Sequence, residues 1–180
     1  MQNGKAENLG ILSAIRGINV PRFVVLHPGM SEDEQTKIVR GFLKKRHGNT
    51  VAVRSSAVQE DSVGASFAGM YATKVSIPAN LHDLRVAIEE VRTSGAEKGD
   101  VVSHYAAHRS IELGDTGISV IVQEMVEADT SGVVFSHSLN EPDGYYVVSV
   151  SDGLGEKIVG GASNGTLIRI TRGVNTRSLN

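Results

Sequence analysis

One arginine, Arg54, ends a short apolar stretch in the segment VAVRSSAVQEDSVGASFAGMYATKV, which spans residues 51–75. Two serines, two acids and several small residues follow it. A guanidinium group offers a planar fork of donors to phosphate oxygens, and glycines such as Gly64 and Gly69 let backbone N–H groups approach those oxygens closely. The segment therefore predicts a phosphate-binding strand end and loop. A long hairpin whose loop is merely small and polar is the alternative, and the residue types leave both open.

Strands and helices must hold that arginine in place. Residues 51–54 and 71–77 alternate between apolar and other side chains, which predicts two paired strands, and 22–27 reads as another short strand after Pro21. Ser31 and Glu34 form the pattern of a capping box. Helices are predicted over 7–16 with Gly17 as the stop, from Ser31 to about His47, from Asn80 to Arg92 with Leu84, Ala87, Ile88 and Val91 inward, and from Asp100 to about Ser110.

The second half of the sequence is richer in strands. Short apolar segments at 118–126, 132–138, 145–153 and 166–172 are separated by Gly, Asn, Asp and Pro, which favours hairpins over a parallel winding. We therefore expect an α+β fold, with a helix-rich first part and a mostly antiparallel sheet over 118–172. The chain is predicted to be a single domain, residues 1–180, with a lobe seam near 111–117.

Composition excludes several functional classes. The 180 residues carry a net charge of -2 and only 4% aromatic side chains, which argues against binding nucleic acid. No apolar run approaches the length that spans a membrane. The absence of cysteine excludes disulfides and cysteine nucleophiles, and it fits a reducing cytoplasm. His104 and His108, spaced like two ligands on a helix face, have no third ligand nearby, so we interpret them as exposed helix residues.

Four sequence blocks, in order, carry a family resemblance. They are GKAENLGILSAIRGINVPRFVVL at 4–26, the VRSSA and GASFAG segment, VIVQEMVEADTSGVVFSHS at 120–138, and SVSDGLGEKIVGGASNGTLIRI at 149–170. Together they resemble the nucleotide-binding domain shared by phosphoenolpyruvate synthase and pyruvate phosphate dikinase. The resemblance implies an ATP-grasp fold, in which two α+β lobes clasp ATP between them.

When this sequence is matched to the family position by position, the resemblance implies a role in binding ATP for each matched residue. Arg54 would contact the transferring phosphates and stabilise developing charge, and Lys5 would meet phosphate as a compact positive charge. The resemblance places Gly64, Ala65, Ser66 and Phe67 in the loop over the phosphates, Gln123, Glu124, Met125 and Val126 on the hinge strand beside the adenine, and Glu156 near the nucleotide. We expect Arg54, Ser66 and Gln123 to open onto one cleft, with Lys5 near its rim.

Plainer interpretations of these residues stay open. Lys5 would be a frayed terminal residue, and Arg54 would pair with Glu60 or Asp61 at the surface. The strand at 120–126 would be an ordinary core strand, and Glu156 would be an acid at a turn or a helix start.

The departures from the family pattern concern the metal and the acceptor. The family's Mg²⁺-binding acids and its Gln-x-Arg follow beyond the last matched block, and 168–180 holds no acid. The swivelling domain with the phosphorylated histidine has no match either. The resemblance therefore implies an incomplete domain: a fragment, a piece of a split enzyme or a degenerate relative. Two functions remain open, namely the ATP-binding part of a phosphotransferase and a truncated, non-catalytic nucleotide-binding or interaction module.

Overall fold

The computed structural model describes residues 4–56, 72–108, 118–136, 144–155, 158 and 165–172, with the backbone alone over 95–108. The chain divides into two compact units, Met1–Val126 and Glu127–Asn180. Within the described ranges, no helix is both long and apolar enough to cross a membrane.

The first unit is a four-stranded sheet with three helices. Its elements in chain order are α1 (Lys5–Ala14), β1 (Phe23–Leu26), α2 (Glu32–Lys44), β2 (Thr50–Ser56), β3 (Thr73–Pro78), α3 (Leu81–His108) and β4 (Ser119–Glu124). The strand order is β1-β4-β2-β3, and every neighbouring pair is antiparallel. The predicted pairing of the strands on either side of the loop is confirmed, since Arg54 of β2 lies opposite Thr73 of β3.

The core of this unit lies between the sheet and the helices α2 and α3. The sheet contributes Val51, Val53, Val120 and Val122, all fully buried. The four residues predicted to face inward on α3 are buried in the same cluster, and α2 contributes Val39 and Phe42. Because side chains alternate along a strand, residues 51 and 53 share one face of β2, and residues 52, 54 and 56 share the other.

Helix starts follow the predicted caps closely. Ser31 Oγ accepts from the N–H of Glu34, the Ser31 N–H donates back to the Glu34 carboxylate at 2.8 Å, and the capping box is confirmed. Asn80 Oδ1 accepts from the N–H of Asp83 at 3.0 Å, as a capping residue would. Helix ends are less well predicted. α1 ends at Ala14 and α2 at Lys44, each a few residues before the glycine expected to stop it.

The helices predicted from Asn80 to Arg92 and from Asp100 to about Ser110 belong to a single helix, so the prediction of two separate helices was wrong. α3 runs without a break from Leu81 to His108, through both Gly95 and Gly99. A glycine inside a helix costs about 1 kcal/mol relative to alanine, which weakens a helix without ending it. The segment between the two predicted helices carries no proline, and the first turns of α3 are anchored in the core.

The predicted sheet over 118–172 was also wrong in one respect. β4 pairs with β1 and β2 in the first unit, and not with the strands that follow it. Its residues Val120, Ile121 and Val122 are all fully buried, on both faces of the strand, which suits a central strand. The boundary between the compact units falls after Val126. The predicted seam at 111–117 lies outside the described residues.

The second unit contains an antiparallel meander. β5 (Thr130–Phe135), β6 (Tyr145–Asp152) and β7 (Thr166–Thr171) form a sheet in the order β5-β6-β7, as the hairpin pattern predicts. Gly165, just before β7, has φ of +59°. A Cβ at that position would lie 2.6 Å from the carbonyl oxygen of Val150, so the tight approach to β6 requires glycine.

Candidate functional site

The sheet face that points away from α2 and α3 carries Arg54 of β2 and Gln123 of β4, whereas Glu124, opposite Val51, lies on the other face. Arg54 lies opposite Ile121, and Ala52 lies opposite Gln123. Positions two apart on a strand share a face. Arg54 and Gln123 are therefore diagonal neighbours on one face of the sheet, which is the arrangement that a shared site requires.

Arg54 carries an unusual polar atom. Its side chain is half-buried, and its Nε is buried with no hydrogen-bond partner among the described residues. A buried donor without an acceptor costs about 1–3 kcal/mol, more when it is charged. An anion placed against the guanidinium would supply the acceptor, so the site fits a phosphate-bearing ligand.

Lys5 reaches the same end of β2 through helix α1. It is the first residue of that helix, and the next residue, Ala6, donates its backbone N–H to Ser56 Oγ at 3.0 Å. Ser56 is the last residue of β2, two positions beyond Arg54 and on the same face. The fold thus brings a lysine and the positive end of a helix to the strand end that carries Arg54, although about fifty positions separate them in sequence.

The predicted hinge residues divide into two groups. The side chains of Gln123 and Glu124 are engaged within the protein, since Gln123 Nε2 donates to the Pro21 carbonyl at 3.3 Å and Glu124 Oε1 accepts from the His47 N–H at 3.2 Å. Gln123 is only 8% exposed. Beyond them, Met125 is half-buried and Val126 is 56% exposed. Contacts to a ligand from this segment would therefore come from the backbone and from Met125 and Val126.

The remaining predicted residues lie outside the described ranges. They are Gly64, Ala65, Ser66 and Phe67 of the loop, together with Glu156 and the alternative partners of Arg54, Glu60 and Asp61. The expectation that Ser66 shares a cleft with Arg54 thus stays a prediction. In the described part of the chain, no three His, Asp or Glu side chains are grouped to hold a metal ion.

Ser56 is a residue of this strand end whose contact with α1 the sequence did not reveal. The sequence showed a serine near Arg54, but a hydrogen bond to the amide of Ala6 has no local signal. The one available hint was the start of α1, where Gly4 takes the N-cap position and supplies no side-chain acceptor. A helix that lacks its own cap needs an acceptor from elsewhere or from water.

Comparisons with known proteins show which family this chain belongs to. The family model described as pyruvate phosphate dikinase, AMP/ATP-binding domain, matches residues 26–173. The chain is 38% identical over 161 residues to a phosphoenolpyruvate synthase of Synechocystis, which covers 81% of the chain and 19% of that protein. It is 32% identical over 133 residues to the uncharacterized phosphotransferase YvkC of Bacillus subtilis, covering 73% of the chain and 16% of the relative.

A probable phosphoenolpyruvate synthase of Methanothermobacter thermautotrophicus is 31% identical over 145 residues, covering 77% of the chain and 21% of the relative. The chain therefore spans about a fifth or less of the length of these relatives. The family match, in contrast, extends from the end of β1 past the end of β7. By that coverage, the chain belongs to the family of pyruvate phosphate dikinase AMP/ATP-binding domains.

Proposed function

We propose that this chain is the ATP-binding part of a phosphotransferase like phosphoenolpyruvate synthase or pyruvate phosphate dikinase, and that the bound ATP phosphorylates a histidine on a partner domain. The phosphates would lie against Arg54 and the start of α1, and the adenine would lie along the backbone of 124–126. The loop at 64–69, which the family resemblance places over the phosphates, would cover them.

The observation that carries the proposal is the buried Nε of Arg54, which has no hydrogen-bond partner among the described residues. It lies on the same sheet face as Gln123 and at the strand end where α1 begins. Family membership supports ATP as the ligand, because the matching family is described as an AMP/ATP-binding domain. The histidine acceptor is inferred from the resemblance to the dikinases alone.

The protein's contribution to such a transfer is positioning and charge neutralisation. Arg54 would hold phosphate oxygens through its planar fork of donors. Lys5 and the first N–H groups of α1 would add positive charge at the same place. Mg²⁺ supplies further charge neutralisation in phosphoryl transfer. No three His, Asp or Glu side chains are grouped to hold it in the described part of the chain.

Calorimetric titration of ATP with Mg²⁺ into the wild type and Arg54→Ala tests the ATP site. We expect wild-type binding in the high micromolar range or weaker, about -5 kcal/mol or less favourable. Arg54→Ala should weaken it by about tenfold or more, since a hydrogen bond to a charged group contributes about 1.5–3 kcal/mol. Arg40→Ala, which removes an exposed arginine of α2, is the matched control and should bind like the wild type.

Three results would count against the proposal. Equal binding by Arg54→Ala and the wild type would remove Arg54 from the site. Release of AMP by this chain without an added histidine-bearing partner would contradict the assignment of the acceptor to another domain. If the wild type does not bind ATP at all, the non-catalytic interaction module becomes the better interpretation, and the lack of a carboxylate cluster among the described residues favours it.

A further inference from the structure

Helix α1 is attached to its unit in an unusual way. None of its residues is buried, and large apolar side chains such as Ile11 and Leu12 are 48% and 41% exposed. Packing therefore does little to fix its position. Its N-cap, Gly4, offers no side-chain acceptor to the backbone N–H groups of the first turn.

Ser56 supplies the missing cap from another part of the chain. It is 5% exposed, and its Oγ accepts the N–H of Ala6 at 3.0 Å. With Gly4 as the N-cap, Ala6 is the second helical residue, which is a position that a capping side chain normally serves. Gly4 is itself buried and Lys5 and Ala6 are half-buried, so the start of α1 is fixed while its last turn, from residue 10 on, is exposed.

We propose that Ser56 is a positioning residue for Lys5: by capping α1 it holds the lysine and the helix start beside Arg54 in the nucleotide site. This inference rests on the proposed function. Ser56 does not need to touch the nucleotide, because it acts through the helix that carries Lys5. Arg54 and Ser56 lie two positions apart on one strand. Because Ser56 caps the helix that carries Lys5, this strand fixes the start of that helix relative to the Arg54 guanidinium.

The adjacent serine provides a matched control. Ser55 lies on the same strand and is 1% exposed, but it points to the opposite face of the sheet. Its Oγ has no hydrogen-bond partner among the described residues. Ser55→Ala and Ser56→Ala therefore delete the same atom from equally buried positions, and only Ser56→Ala removes a helix cap.

The first measurement is ATP affinity by calorimetry. We expect Ser56→Ala to weaken ATP binding by about fivefold, the factor that corresponds to a typical loss of about 1 kcal/mol for a helix cap, and Ser55→Ala to leave it unchanged. Ser56→Thr keeps the hydroxyl and should restore most of the affinity. Equal weakening by both alanine variants would show a general effect on the strand and would overturn the inference.

The second measurement separates positioning from stability. Lys5→Ala is made in the wild type and in Ser56→Ala, and the loss of ATP affinity is compared. If Ser56 acts through Lys5, the loss caused by Lys5→Ala should be several-fold smaller in the Ser56→Ala background, because the lysine is no longer held in place. An equal loss in both backgrounds would mean that Ser56 does not position Lys5, and the inference would be wrong.

Hydrogen exchange of the Ala6 amide distinguishes a failure of the proposed ATP-binding function from a failure of the inference about Ser56 alone. Ser56→Ala should speed exchange at Ala6 at least tenfold without affecting amides of β2 and β4, and Ser55→Ala should not. If the wild type binds no ATP, the proposed function fails and the role of Ser56 in the site fails with it, even where the amide responds as expected. If ATP binds but Ala6 exchange is unchanged in Ser56→Ala, the inference alone fails.

Discussion

At the scale of single residues, Gly165 has a strict steric requirement. Its φ of +59° is one that residues with a Cβ adopt at a cost, and an added Cβ would also lie 2.9 Å from Ser149 Oγ. We expect Gly165→Ala to destabilise the protein by about 1–3 kcal/mol, measured as a shift of the urea unfolding curve monitored by the signals of β6 and β7.

A second glycine provides the control for that substitution. Gly41 lies inside α2, and a Cβ there would meet nothing within 4 Å. Gly41→Ala should stabilise the protein by about 0.5–1 kcal/mol, because alanine loses less backbone freedom in a helix. A neutral Gly165→Ala would show that the backbone at this position adjusts to the added Cβ without cost.

The candidate site was only partly predictable at this scale. Arg54 and Lys5 were predicted from residue types and family resemblance, and the structure brings the elements that carry them to one strand end. The Ala6–Ser56 hydrogen bond could not be found, because it joins distant segments. The internal bond of Gln123 to Pro21 was missed for the same reason. Local pattern does not encode which carbonyl a buried amide side chain will meet.

At the scale of elements, the start of α2 should respond to acid. The pKa of Glu34 is lowered from its ordinary value of 4.5, mainly by the hydrogen bond from the Ser31 backbone N–H and also by the Ser31 hydroxyl. A lowered folded pKa means that the carboxylate stabilises the helix above pH 4.5, and that this contribution is lost as pH falls through the folded pKa. We expect exchange protection in the first turn of α2 to fall over that range.

Glu34→Gln separates the charge from the cap. Glutamine also fits the capping box, but it does not titrate. The variant should therefore keep the helix start and lose its pH dependence, whereas Ser31→Ala should loosen the first turn at every pH. If Glu34→Gln showed the same acid response as the wild type, another group would be responsible.

Element types were more predictable than element limits. The cap at Ser31 and the inward face of α3 were predictable, because they follow from side-chain chemistry and helical period. The continuity of α3 through Gly95 and Gly99 did not, because propensity is a weak determinant once a helix is anchored. The pairing of β4 with β1 and β2 was not predicted. The sequence of an apolar strand does not indicate whether it pairs with the strands next to it in the chain or with distant ones.

At the scale of the whole molecule, the first unit depends on one core between sheet and helices. Leu84, fully buried on α3, contacts that core, whereas Val86 on the same helix is 49% exposed. Leu84→Ala should cost about 2–5 kcal/mol in unfolding free energy, and Val86→Ala less than about 0.5 kcal/mol. Urea unfolding followed by amide signals from β2 and β4 measures both. Similar small effects would mean that α3 contributes little to this core.

The strand order β1-β4-β2-β3 places the last strand of the first unit in the middle of its sheet. On a ribosome, where the chain emerges from its N-terminus, β1 would have no strand to pair with until residue 124 had left the exit tunnel. The valines of β2 would lack their neighbours on β4 for the same interval. The meander β5-β6-β7 closes by nearby hairpins and needs no such delay. The unit that is synthesised first thus cannot complete its sheet until almost all of it has been translated, and its apolar strands are open to aggregation for that interval.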